Sequence, residues 1–412
     1  MKKETKVSNI GKNRRLFLRN SMIAAGAASM GAGLLPGSLS AFARERDRDD
    51  DDERAPITKG DIAILRFLQA LEQVEADLWI QYSELGGTQD NEVHGAGKGN
   101  AAYIAGLTLL DGDMPQYIHD NTDDEISHAA FLGAYLRSKG SSPVNLDEHF
   151  RIFPSSTAAG ANQGFKGNGK RLTNLTQLKI DTSFWSRYRS ITNPDVDPTA
   201  PFAQATGNPD GTQSLLTGGR FTAIPRNDAD TSDTNRINAI AFTAGFHFAF
   251  IEQGGTSLYP TLAQKVTNLE VLRILLSIGP SETMHFQTWQ DKAGNANQGN
   301  APLTVTDPVN KSTVTFFDLH AAQGETDPES TKGDTLQANL IMPEPTHFLN
   351  DELPPVAIIR PTSTKLGGAV AAVQGFVDDG LFLLDPKTGR QSPIVGTLMR
   401  LAEEADEARR QL

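Results

Sequence analysis

The chain contains no cysteine. Disulfides, lipid-modified cysteine and thiolate metal sites are therefore excluded, and folding has to rest on core packing and on any metal held by other ligands. Basic residues are in deficit, with 38 Lys and Arg against 50 Asp and Glu and a net charge of −12. Such acidity argues against nucleic acid and anionic membranes as partners. Long apolar runs are missing too. The stretch from Met22 to Leu35 is too short and too rich in glycine for a stable membrane span. Beyond Gly294 there is no Gly-x-Ser-x-Gly, no phosphate loop and no dinucleotide fingerprint.

What the chain does have is a carboxylate and an imidazole three residues apart, twice, in helix-like surroundings. The two motifs are Glu125-Ile126-Ser127-His128 and Glu282-Thr283-Met284-His285. On an α-helix this spacing puts both side chains on one face, about one turn apart. Each motif follows a helical segment with a well-placed glutamate, Glu75 before the first and Glu252 before the second. The order Glu, Glu-x-x-His, Glu, Glu-x-x-His is the ligand set of a di-iron or di-manganese carboxylate site in a four-helix bundle. The predicted metal ligands are therefore Glu75, Glu125, His128, Glu252, Glu282 and His285. A third Glu-x-x-His, Glu344 to His347, stands among Pro343 and Pro345 and reads as loop.

Glu75 precedes Tyr82 by seven residues, and Glu252 precedes Tyr259 by seven. Two helical turns put each tyrosine on its glutamate's face, where a phenol can hydrogen-bond a ligand carboxylate. On this ground Glu75 is preferred to Glu72, which also interrupts the apolar stripe and is kept as the alternate. His247 reads as a core histidine with accessory ligation as the second choice. His119 reads as surface.

Helices are expected over 57–85, 101–110, 114–139, 234–258 and 269–291. Thr58 or Asp61 can cap the first and Asn268 the last. Gly254-Gly255 and Gly279-Pro280 predict a kink or bulge in the last two. Residues 141–233 form a long insertion between the second and third bundle helices, where a single crossover falls. It is expected to pack over the bundle. Residues 295–412 read as an extension of short strands and helices. Asn13-Arg14-Arg15-Leu16-Phe17-Leu18-Arg19, followed by the apolar run and Ala41-Phe42-Ala43, resembles a twin-arginine signal over 1–43. It predicts export to the periplasm or beyond. The leader holds seven Lys and Arg against one Glu, so the remainder is more acidic than the whole. Residues 44–56 read as a charged, solvated spacer.

With these residues placed, 58–292 resembles the ferritin-like superfamily. Leu71-Glu72-Gln73-Val74-Glu75-Ala76-Asp77 is similar to the branch of desiccation-related proteins, and the Glu-x6-Tyr spacing to rubrerythrins. The resemblance implies a mainly α, ferritin-like four-helix bundle with Glu125 and Glu282 as bridges. It implies a di-iron oxidase or peroxidase-type protein of oxidative stress, with dioxygen or peroxide as substrate. A manganese catalase and a non-enzymatic stress or cell-envelope scaffold are the alternatives. The insertion and the extension would obstruct a 24-subunit storage cage, while a smaller homo-oligomer stays open. No rubredoxin-like cysteines exist to deliver electrons.

Overall fold

The first long helix, α1 (Lys59–Gly86), begins where the sequence supplies a reciprocal cap. Thr58 Oγ1 accepts from the Asp61 amide at 3.0 Å, and Asp61 Oδ2 accepts from the Thr58 amide at 2.9 Å. The other Asp61 oxygen accepts from the Thr267 amide at 2.9 Å, which ties a distant turn to the helix start. A computed structural model describes residues 56–90, 98–162, 170–179, 182, 219–318 and 368–411. The expected leader, the spacer up to residue 55, residues 183–189, the Glu344–His347 motif and His94 lie outside the described residues.

The described chain is mainly helical. Helix α2 (Ala101–Leu107) is capped by Asn100, and α3 (Met114–Ser138) carries Pro115 in its first turn. Helix α4 (Thr234–Ala263) is capped by Asp233, and α5 (Leu269–Ala293) by Asn268, whose Oδ1 accepts from the Val271 amide at 3.1 Å. Helix α1 lies along α3, and α4 along α5. The connection between the two pairs is the long insertion, of which the described parts include the short antiparallel strands β1 (Phe153–Pro154) and β2 (Lys170–Arg171).

The apolar stripe of α1 predicts one buried face, but the helix is buried nearly all round. Leu65, Leu68, Val74, Leu78 and Trp79 form the inner side. Each such large side chain, fully buried, stabilises the fold by about 1.5–3 kcal/mol relative to exposure. The opposite side is polar and covered by the insertion. Asp77 Oδ2 accepts from the Leu172 and Thr173 amides at 3.0 Å each, and Arg171 meets Glu84 at 2.5 Å in a buried ion pair.

After α5 the chain forms a hairpin of β3 (Leu303–Thr306) and β4 (Thr313–Phe316), then α6 (Ala369–Asp379), the small pair β5 (Leu383–Asp385) and β6 (Arg390–Gln391), and α7 (Ile394–Glu407). Phe316, Val373, Phe376, Leu398 and Leu401 join the same hydrophobic core as α1 and α4. No described helix is long and apolar enough to cross a membrane.

Helices α4 and α5 run as continuous α-helix through Gly254-Gly255 and Gly279-Pro280. The glycines there serve close approach. A Cβ on Gly255 would sit 2.7 Å from a Glu282 carboxylate oxygen, and one on Gly279 would sit 2.8 Å from Cβ of Tyr259. Two long helices meet backbone to side chain at the place where α5 delivers its glutamate.

Candidate metal centre

Six ligand-type side chains from four helices converge between the two helix pairs. They fall into two overlapping groups whose donor atoms lie within 4.8 Å of one another. One is Glu72, Glu125, His128 and Glu282; the other is Glu125, Glu252, Glu282 and His285. Glu125 and Glu282 belong to both. The three-residue spacing accounts for the two Glu-x-x-His pairs, since each puts its carboxylate and its imidazole on the inner face of α3 or α5.

His128 points Nδ1 at Glu282 Oε1 (3.3 Å), Glu125 Oε2 (3.4 Å) and Glu72 Oε2 (3.4 Å). His285 points Nδ1 at Glu125 Oε1 (3.2 Å) and Glu252 Oε2 (3.4 Å). Each imidazole uses its other nitrogen outward. Nε2 of His285 meets Asp124 Oδ2 at 3.0 Å, and Nε2 of His128 meets Ser281 Oγ at 3.3 Å. Outer partners of this kind fix the ring and hold the inward nitrogen ready for a metal.

The predicted ligands Glu125, His128, Glu252, Glu282 and His285 are brought together. Glu75 is not among them. The first-helix carboxylate of the cluster is Glu72, one turn earlier, while Glu75 is buried just beside it. The tyrosines divide in the same sense. Tyr259 donates its phenolic hydrogen to Glu72 Oε1 across the molecule. Tyr82 touches no ligand and instead meets His247 Nδ1 at 2.5 Å, whose Nε2 meets Asp379 Oδ2 of α6 at 3.0 Å. His247 is thus a core histidine. His119, expected at the surface, is 2% exposed and held by Asp90 at 3.0 Å and Asp120 at 3.3 Å.

Two contributors were not found from the sequence. Asn121 donates to Glu125 Oε1 (3.0 Å) and Glu252 Oε1 (3.1 Å), while its own oxygen accepts from Trp289 Nε1 at 2.7 Å. Its place four residues before Glu125 was the available signal. Asp124 was visible only as the neighbour of Glu125, because its partner lies on another helix.

The electrostatics are those of crowded acid. Burial pushes Glu72 up to about 7 against the pull of His128. Burial also raises Glu252, and it raises Glu282 well above its ordinary range with help from the Glu125 charge. Glu125 goes the other way. The two imidazoles that face it overcome its burial and hold it far below the carboxylate range. His128 and His285 are raised well above the histidine range, their burial overridden by the surrounding carboxylates.

The donor set fits a metal pair. Glu72 Oε2, both Glu282 oxygens and His285 Nδ1 are buried without a well-aligned hydrogen bond, although Glu72 Oε2, Glu282 Oε1 and His285 Nδ1 make the 3.2–3.4 Å contacts within the cluster given above. Groups of this kind are costly to bury unless a cation answers them. Four carboxylates are balanced by two divalent ions, and hard oxygens with imidazole nitrogens suit iron or manganese. Comparisons of the chain with protein-family models, with curated proteins and with solved structures give no match.

Proposed function

We propose that this protein is a ferritin-like di-metal carboxylate protein, a four-helix bundle of α1, α3, α4 and α5 that holds two iron ions. In this reading Glu72, Glu125, His128, Glu252, Glu282 and His285 are the ligands. One observation carries the reading. Two donor groups share Glu125 and Glu282, and each adds one histidine and one further glutamate of its own. Shared carboxylates would hold two metal ions side by side, where they would supply two-metal chemistry toward dioxygen or peroxide. Bound iron would supply electrons for reduction of dioxygen or peroxide, as in an oxidase or peroxidase-type protein of oxidative stress. Manganese is the alternative metal, and export by the twin-arginine pathway belongs to the same proposal.

The chain's own residues do the positioning. Tyr259 orients Glu72, Asp124 orients His285, and Asn121 aligns Glu125 with Glu252. Trp79 stacks on Trp289 at 5.3 Å between ring centres, with Phe248 against both. This stack includes Trp289, whose Nε1 donates to Asn121 Oδ1 at 2.7 Å. Protons on the two imidazoles occupy the space that cations take, so loading releases them.

The test is anaerobic loading with ferrous iron followed by oxygen or hydrogen peroxide. Near-ultraviolet ferric absorbance should rise in the wild type and be slowed or lost in His285→Ala. His347→Ala, in the proline-bounded Glu-x-x-His, should behave as wild type. Equal loss in both variants would overturn the assignment.

A further inference from the structure

A cavity of about 230 Å³ lies between α1, α4 and α6. Leu71, Phe250, Ile251, Ala372 and Phe376 give it apolar walls. Glu75 also lines it. This carboxyl is 4% exposed and makes no hydrogen bond among the described residues. A buried carboxyl without a partner is expensive, and evolution toward a packed core would replace it with Leu or Met. Its position one turn from Glu72, facing a cavity, gives it a reason to exist.

The charge around it narrows what it can meet. Burial and the neighbouring carboxylates of Glu72, Glu125, Glu282 and Glu252 push its pKa well above the ordinary carboxylate value. A carboxyl lining a cavity accepts from a hydroxyl in either protonation state, and when protonated it also donates one O–H. An anion would face several carboxylates, and the walls, apolar apart from Gln253 and Ser257, favour a largely apolar molecule. The cavity also reaches the metal centre. Gly255 lines it, and a Cβ there would strike Glu282.

We infer that this cavity binds a small, uncharged, largely apolar molecule carrying a single hydroxyl-type group, with Glu75 as its hydrogen-bond partner. Its service as the substrate pocket of the metal pair rests on the function proposed above; the binding itself does not. Helix α6, which lies in the C-terminal extension, forms one wall, so the extension contributes to recognition. Glu75 is here a positioning residue for the ligand and not a metal ligand.

The cavity can be filled without collision. Gly375 lines it from α6, and a Cβ there meets nothing within 4 Å. Leucine is also a better helix former than glycine, so Gly375→Leu should fold. The probe is cumyl alcohol, measured by titration calorimetry against the full chain, metal-free and manganese-loaded. Cumene and cumylamine are the matched hydrocarbon and amine. One alcohol per chain is expected in both metal states, bound about tenfold tighter than cumene, the worth of one net hydrogen bond. Glu75→Met should erase that tenfold preference while cumene binding persists, and Gly375→Leu should weaken both at least tenfold with the melting curve retained. No alcohol binding to the wild type, tighter binding of the amine, or unchanged binding to folded Gly375→Leu would overturn the inference. Alcohol binding without any uptake of metal would leave the cavity standing and sink only the proposed function.

Discussion

Tyr259 on α4 donates its phenolic hydrogen to Glu72 on α1, two side chains 187 residues apart in the chain and both buried. The bond joins the two helix pairs and aims the second Glu72 oxygen at His128. Tyr259→Phe removes only the hydroxyl. It should weaken metal at the Glu72–His128 half about 10–100-fold, the usual cost of losing an outer partner. The Glu252–His285 half should be little changed. Stepwise titration with manganese, followed by calorimetry, separates the two events.

The metal-free protein should lose stability as pH rises. Glu72, Glu252 and Glu282 have folded-state pKa values above their unfolded ones, so the folded chain binds more protons from about pH 4.5 upward. His128 and His285 are raised too, which extends the same sign above pH 6.5. Glu125 has the opposite sign, but its contribution is complete by about pH 4.5. The shift of Glu72 from 4.5 to about 7 alone corresponds to roughly 3 kcal/mol. The melting temperature without metal should therefore fall between pH 5 and pH 8. Divalent metal should raise it, and more so at the higher pH, because metal competes with protons for the same atoms. A melt with no pH trend and no response to chelator would contradict both statements.

Asp379→Ala tests how α6 is held. It leaves His247 Nε2 buried without its partner and opens a small void, so a loss of about 2–4 kcal/mol is expected in urea denaturation. Tyr82, His247 and Asp379 touch none of the six ligands. Manganese affinity should accordingly survive in the folded variant.

The helices and most of the site were legible because their signals are local. A Glu-x-x-His on a helix fixes its own geometry, and Asn268 and Thr58 announce their helices by the hydrogen bonds they can make. The choice between Glu72 and Glu75 was not legible. Both interrupt the apolar stripe of α1 one turn apart, and that helix is buried on nearly every side, so burial cannot rank them. The Glu75-x6-Tyr82 spacing pointed to a tyrosine serving its own helix's glutamate. The phenol that serves the first-helix carboxylate of the cluster comes from α4, and Tyr82 turns to His247. Periodicity within one helix says which residues share a face, but not which partner that face meets. The glycines have a second role that periodicity does not show. Gly255 and Gly279 weaken a helix in isolation, and only the packed pair of α4 and α5 shows that they make room for Glu282 and Tyr259.

The central claim is a dinuclear site made by Glu72, Glu125, His128, Glu252, Glu282 and His285. Elemental analysis of metal bound per folded chain, after loading and desalting, tests it most directly. The wild type should hold two ions. Glu125→Ala should lose both, because its carboxylate belongs to both groups. Glu72→Ala should lose one, and Glu75→Ala should keep two. A wild type that holds no metal, or a Glu75→Ala that loses an ion while Glu72→Ala keeps both, would contradict the account.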